Sequence, residues 1–155
     1  MQKALFLTVP LGLLLWLYSS KTGKADLPRG IRNNNAGNIE YNTTKWQGLI
    51  GSDGRFCIFD TPENGIRALG KVLLTYRNSY GIDSVEAILN RYAPSVENDT
   101  QSYVNHVADK VGVSAKAPLS IDDYPALIEA IILHENGQQP YSQDLILTGW
   151  RNALA

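Results

Sequence analysis

The longest apolar run stands at the start of the chain. Between Lys3 and Lys21 lie 17 consecutive uncharged residues, ALFLTVPLGLLLWLYSS, the short end of the roughly 17 to 25 that a bilayer-spanning helix needs. Trp16 and Tyr18 fall at one end of it, where an aromatic belt belongs, and the flanking lysines are long enough to snorkel to headgroups. The pattern predicts a membrane anchor over residues 1–20. A cleaved secretory signal is the competing reading, with Gly23-Lys24-Ala25 as its weak small-x-small site. Residues 21–30, KTGKADLPRG, are polar and rich in turn formers, and read as a linker to a single domain over 31–155.

Within that domain the periodicity changes twice. The run RNNNAGN at 32–38 suits left-handed positions and side-chain to backbone turns. Short β-type stretches at 39–41 and 55–59, separated by Gly48, Gly51 and Ser52-Asp53-Gly54, predict a small hairpin or meander. From Thr61, an N-cap followed by Pro62, apolar residues recur at helical spacing through Ile66, Leu69, Val72, Leu73 and Tyr76 up to Gly81. Further helices are expected over 84–92, from the Glu97 to Thr100 caps to Gly112, and over 142–150. A helix opening near Asp122 or Asp123 carries Pro125 in its first turn. It is apolar almost all round, through Leu127, Ile128, Ile131 and Ile132, and belongs at the centre of the domain. The expected fold is a mostly helical α+β domain with one small sheet, preceded by one N-terminal transmembrane helix.

Composition narrows the function. With 155 residues the chain sustains one ordinary core. Lys plus Arg number 14 against 15 Asp plus Glu, which excludes the broad basic field that drives nucleic-acid binding. The single cysteine, Cys57, lies in the apolar run Phe56-Cys57-Ile58-Phe59 and reads as a buried thiol. His106 and His134 are the only imidazoles, so neither a metal nor a cofactor is expected.

The sharpest local conflict comes where the apolar helix runs into His134-Glu135-Asn136-Gly137-Gln138-Gln139-Pro140-Tyr141. A carboxylate at such a junction is partly desolvated, and desolvation gives a glutamate the character of a general acid. Position alone leaves a second reading open, in which Glu135 is simply a polar residue of the last helical turn and Gly137 its C′ residue. His134 reads as a helix-end histidine facing the last carbonyls.

Four ordered blocks add a resemblance: R-N-N-N-x-G-N at 32–38, S-D-G-R-F with F-D-T-P-E-N-G-I-R-A at 52–68, R-Y-A-P-S-V-E-N-D-T-Q-S-Y at 91–103, and H-E-N-G-Q-Q-P-Y-S at 134–142. Together they resemble a family of phage-encoded virion and lysis proteins similar to the lysozyme and lytic-transglycosylase superfamily, over about residues 29–148. Ala36 departs from the proline usual in the first block. The resemblance implies cleavage of peptidoglycan glycan strands between N-acetylmuramic acid and N-acetylglucosamine, with Glu135 as general acid. Because the Asn loop and hairpin precede the buried helix here, it implies a circularly permuted lysozyme-like core in which Glu135 faces the 33–38 loop. Asn35, Asn38, Tyr41, Gln138, Gln139 and Tyr141 are the expected substrate-binding residues. Trp46, Tyr92 and Tyr103 are further aromatics able to stack on sugars.

A hydrolase needs a second carboxylate roughly 5 to 9.5 Å from the acid. Glu40, Asp53, Glu63 and Glu97 are the candidates, and each also has an ordinary turn, first-turn or capping role. The lack of a clear partner favours a one-glutamate lytic transglycosylase. A non-catalytic virion or wall-binding protein that keeps the fold is the alternative. The expected partners are peptidoglycan, a virion or host inner membrane through residues 4–20 with the domain facing the periplasm, and other virion proteins.

Overall fold

In a computed structural model the protein is described at residue 23 and over residues 26–92 and 100–155. The described elements are, in chain order, α1 (Arg29–Arg32), β1 (Leu49–Ser52), β2 (Cys57–Phe59), α2 (Pro62–Tyr80), α3 (Val85–Tyr92), α4 (Thr100–Val111), a 3-10 turn (Ile121–Asp123), α5 (Tyr124–Asn136) and α6 (Gln143–Leu154). Helix starts follow their caps. Thr61 Oγ1 accepts from the Asn64 N–H at 3.2 Å, Ser84 Oγ from Ala87 at 3.3 Å, and Ser142 Oγ from Leu145 at 3.2 Å. Gly81 and Gly137 end α2 and α5 in the left-handed conformation. The capping residues expected at 97–99 lie outside the described residues.

The expected transmembrane helix is corrected. Among the described residues no helix is long and apolar enough to cross a membrane. Helix α5 is apolar but only 13 residues long, and α2, with 19, carries Glu63, Arg67, Lys71 and Arg77. Residues 1–20, on which the anchor was placed, lie outside the described residues. The fold is therefore a mostly helical α+β domain with a two-stranded sheet.

Helix α5 is the axis of the core. Tyr124, Leu127, Ile128, Ile131 and Ile132 are buried on it, against Val104, Val107 and Ala108 of α4 and Ile66, Leu69 and Leu73 of α2. Burial of each such side chain contributes about 1.5–3 kcal/mol against conformational entropy. Helix α6 runs a turn beyond the expected Trp150 and packs along α2. Trp150 stacks on Tyr124 with ring centroids 4.9 Å apart.

A small two-stranded hairpin forms as expected, but its first strand lies further along the chain than 39–41. Strand β1 pairs antiparallel with β2, with an irregularity between Leu49 and Gly51, whereas 39–41 contributes only the Glu40↔Phe56 bridge. The reason is the buried Asn35 side chain. Its Oδ1 takes the Ile39 N–H at 2.9 Å, and its Nδ2 donates to the carbonyls of Ile39 at 2.9 Å and Cys57 at 3.0 Å. A side-chain amide thus satisfies groups that a third strand would pair. Order also begins earlier than Ile31, because α1 forms on Pro28 and buries Gly30. Gly65 of α2 lets the loop seat directly on the helix, since a Cβ there would stand 1.8 Å from the Asn34 carbonyl oxygen.

The turn after β1 is pinned by Asp53. Its Oδ1 accepts from the Phe56 and Arg55 N–H groups at 2.8 and 3.1 Å, and its Oδ2 from Asn33 Nδ2 at 2.8 Å. These donors, chiefly Phe56, with a smaller pull from the Arg29 guanidinium, hold the carboxyl at about 2 instead of the usual 3.8. A depressed folded-state value stabilises the fold above pH 3.8, and that contribution is lost as pH falls through about 2. Asp53→Asn is accordingly expected to be less stable than the parent at neutral pH, with the gap closing between pH 4 and 2. Urea unfolding of both proteins across that range checks it; a gap independent of pH contradicts it.

Candidate functional site

The buried face of α5 carries its last turn to the Asn loop, and two amides join them. Asn38 Nδ2 donates to Glu135 Oε2 at 3.1 Å and to the Glu135 carbonyl at 3.3 Å. Asn136 Nδ2 donates to the Ala36 carbonyl at 2.8 Å and to that of Ile132 at 2.9 Å. Asn38 holds a left-handed backbone, φ 49°, which asparagine tolerates better than most residues. Its amide is thereby turned towards a residue 97 positions away.

Glu135 is half-buried at the edge of a cleft of about 420 Å³. The loop contributes Gly37, Asn38, Ile39 and Glu40, the β2 edge Arg55 and Phe56, and the helices Val72, Tyr76, Tyr92 and Glu135. The Tyr92 hydroxyl donates to the Gly37 carbonyl and ties α3 to the loop. Burial first, and the nearby Glu135 charge second, push the Tyr92 hydroxyl well above its usual pKa and raise that of Tyr103. Both phenols stay protonated, each an apolar face with a polar edge. The Tyr103 ring stacks on His134 with centroids 3.4 Å apart. Arg55 pairs with Glu40 at 2.7 Å, and its guanidinium lies 4.8 Å from the Phe56 ring centroid.

The residues expected to bind substrate divide. Asn38 and Glu135 meet in the cleft. Asn35 does not reach it, because its amide is wholly committed to the loop and β2 backbone. Gln139 closes a local turn, donating to the Tyr141 carbonyl at 3.0 Å and accepting from the Tyr141 N–H at 2.6 Å. Tyr141 packs on the core, while Gln138 and the 52% exposed Tyr41 lie outside the cleft lining. Trp46 also packs on the core and lines a different groove.

Of the candidate second acids, Glu40 lines the cleft, opposite in charge to its partner Arg55. Asp53 is held in its turn, Glu63 accepts from Asn152 Nδ2 of α6, and Glu97 lies outside the described residues. Among the described residues no three His, Cys, Asp or Glu side chains group as a metal site requires.

Sequence reasoning missed Tyr76, Val72, Arg55 and Asn136. Val72 and Tyr76 share the helical spacing of Leu69 and Leu73, but they sit at the rim of that apolar stripe, only half-buried. Asn136 had one signal, an amide in the final turn of an otherwise apolar helix.

No family model matches the chain. Over 156 residues it is 40% identical to Protein P5 of Pseudoalteromonas phage PM2, a match that covers 97% of this chain and 96% of that protein.

Proposed function

We propose that this chain, which belongs to the family of Protein P5 of Pseudoalteromonas phage PM2, is a glycosidase that cuts peptidoglycan glycan strands with Glu135 as its acid. The observation that carries the reading is the Asn38 amide on the Glu135 carboxylate, at the edge of an aromatic-lined cleft. With Oε2 accepting from Asn38, Oε1 of the protonated acid is left to meet the glycosidic oxygen. A cleft of about 420 Å³ is within the range of roughly 300–1,000 Å³ that holds small ligands, and a disaccharide is of that class. Tyr76, Tyr92 and Phe56 give the cleft an aromatic lining, the side-chain type on which sugar rings stack.

In the transglycosylase form, Glu135 gives its proton to the leaving 4-oxygen as the C1–O bond breaks. The 6-hydroxyl of the same muramic acid then attacks C1 and returns a proton to the Glu135 carboxylate, leaving a 1,6-anhydro end. The position of Glu40 in the same cleft lends weight to a second form, a hydrolase in which that carboxylate activates water. Its ion pair with Arg55, at 2.7 Å, fixes the direction in which that carboxylate points. The deciding experiment is digestion of purified glycan strands followed by mass analysis. Anhydro ends mean the transglycosylase, reducing ends the hydrolase, and uncut strands that are nonetheless retained mean a binding protein of the same fold.

A further inference from the structure

A second groove, of about 620 Å³, is lined by Thr44, Lys45, Trp46, Gln47, Arg67, Lys71 and Thr75. Three of these seven side chains are cations and none is an acid. In a chain with a net charge of −1, that is a local segregation of charge. The ion pairs among the described residues are Arg29 with Asp53 and Arg55 with Glu40, so none neutralises the groove. The nearest helical partner for Arg67 is Glu63, one turn before it. Asn152 stands between them instead: its Nδ2 donates to Glu63, and its carbonyl accepts from Arg67 Nε at 3.2 Å. The guanidinium is thus fixed by one edge while its two terminal nitrogens remain for a ligand.

The groove runs beside the cleft. Arg67, Lys71 and Thr75 form one stripe of α2, at i, i+4 and i+8, while Val72 and Tyr76 of the cleft form the next. Neighbouring stripes lie about 100° apart around a helix, and the cationic one extends about 12 Å along it. We propose that this groove binds the carboxylates of the short peptide carried by each muramic acid, while the glycan lies in the cleft. The proposal rests on the glycan reading of the cleft. A four-residue peptide spans at most about 14 Å, enough to pass from one helical stripe to the next.

The test measures binding to insoluble sacculi in a Glu135→Gln background, so that nothing is cut. Lys45→Gln with Lys71→Gln leaves the Asn152 contact of Arg67 in place. The double change is expected to weaken binding to peptide-bearing sacculi about tenfold at low salt, and not to weaken binding to glycan stripped of peptide by an amidase. Equal losses on both materials, or no loss on either, overturn the proposal. Displacement by inorganic phosphate but not by free stem peptide also overturns it, by assigning the groove to a phosphate. Failure of the parent to bind stripped glycan sinks the cleft reading instead, whereas lysine-dependent binding to the peptide-bearing form tests the groove by itself.

Discussion

Replacing Glu135 by glutamine is expected to lower glycan cleavage by roughly 100- to 10,000-fold, the range that a positioned general acid contributes. Glutamine keeps the shape, and its carbonyl oxygen still accepts from Asn38 Nδ2. The fold should therefore survive with a stability change of ~0.5 kcal/mol or less, as for substitutions that break no packing. The contrast between lost cleavage and retained stability is the diagnostic result. Turnover of purified strands and thermal unfolding on one preparation supply it, and a variant as active as the parent removes Glu135 from the mechanism.

The second large effect is structural. A Cβ at Gly30 would stand 2.3 Å from Asn136 Oδ1 and 2.9 Å from both the Asn35 carbonyl oxygen and Asn38 Oδ1. These three oxygens belong to the loop and to the amides that join it to α5. Gly30→Ala is expected to cost about 1–3 kcal/mol by overpacking, which for a chain of this length lowers Tm by roughly 2 to 12 °C. Because Asn38 must move, cleavage should fall further than the loss of folded protein explains. An unchanged Tm would contradict the contacts around Gly30.

Much of the fold was legible because its signals are local. Thr61, Pro62 and Gly81 bracket α2, and the all-round apolar character of α5 marks it as central, as its burial bears out. The hairpin was legible too, but its first strand falls at Leu49–Ser52 and not at 39–41, where Asn35 intercepts the Ile39 backbone, and no periodicity announces which side chain will replace a strand. The phage kinship implied by the four blocks is borne out by a phage relative, whereas the glycan chemistry rests on the cleft. Juxtaposition of Glu135 with the Asn loop follows from the resemblance and not from spacing. Conversely, the amides of Gln139 and Asn35, both expected to bind substrate, are consumed by their own neighbours. Whether an amide faces outward or inward depends on contacts across the fold, such as Asn136 with Ala36.

The contact between Asn38 and Glu135 closes a span of 97 residues, and this bears on when the site comes into being. Such distant pairings are late and entropically costly steps in folding. During synthesis, a ribosome that has delivered the Asn loop, the hairpin, α2 and α3 has made the rest of the cleft lining but not its acid. The carboxylate arrives with residue 135, and α6, which packs along α2, follows it. A chain truncated before that point is expected to carry no working site, because the Asn38 amide then has no carboxylate to meet.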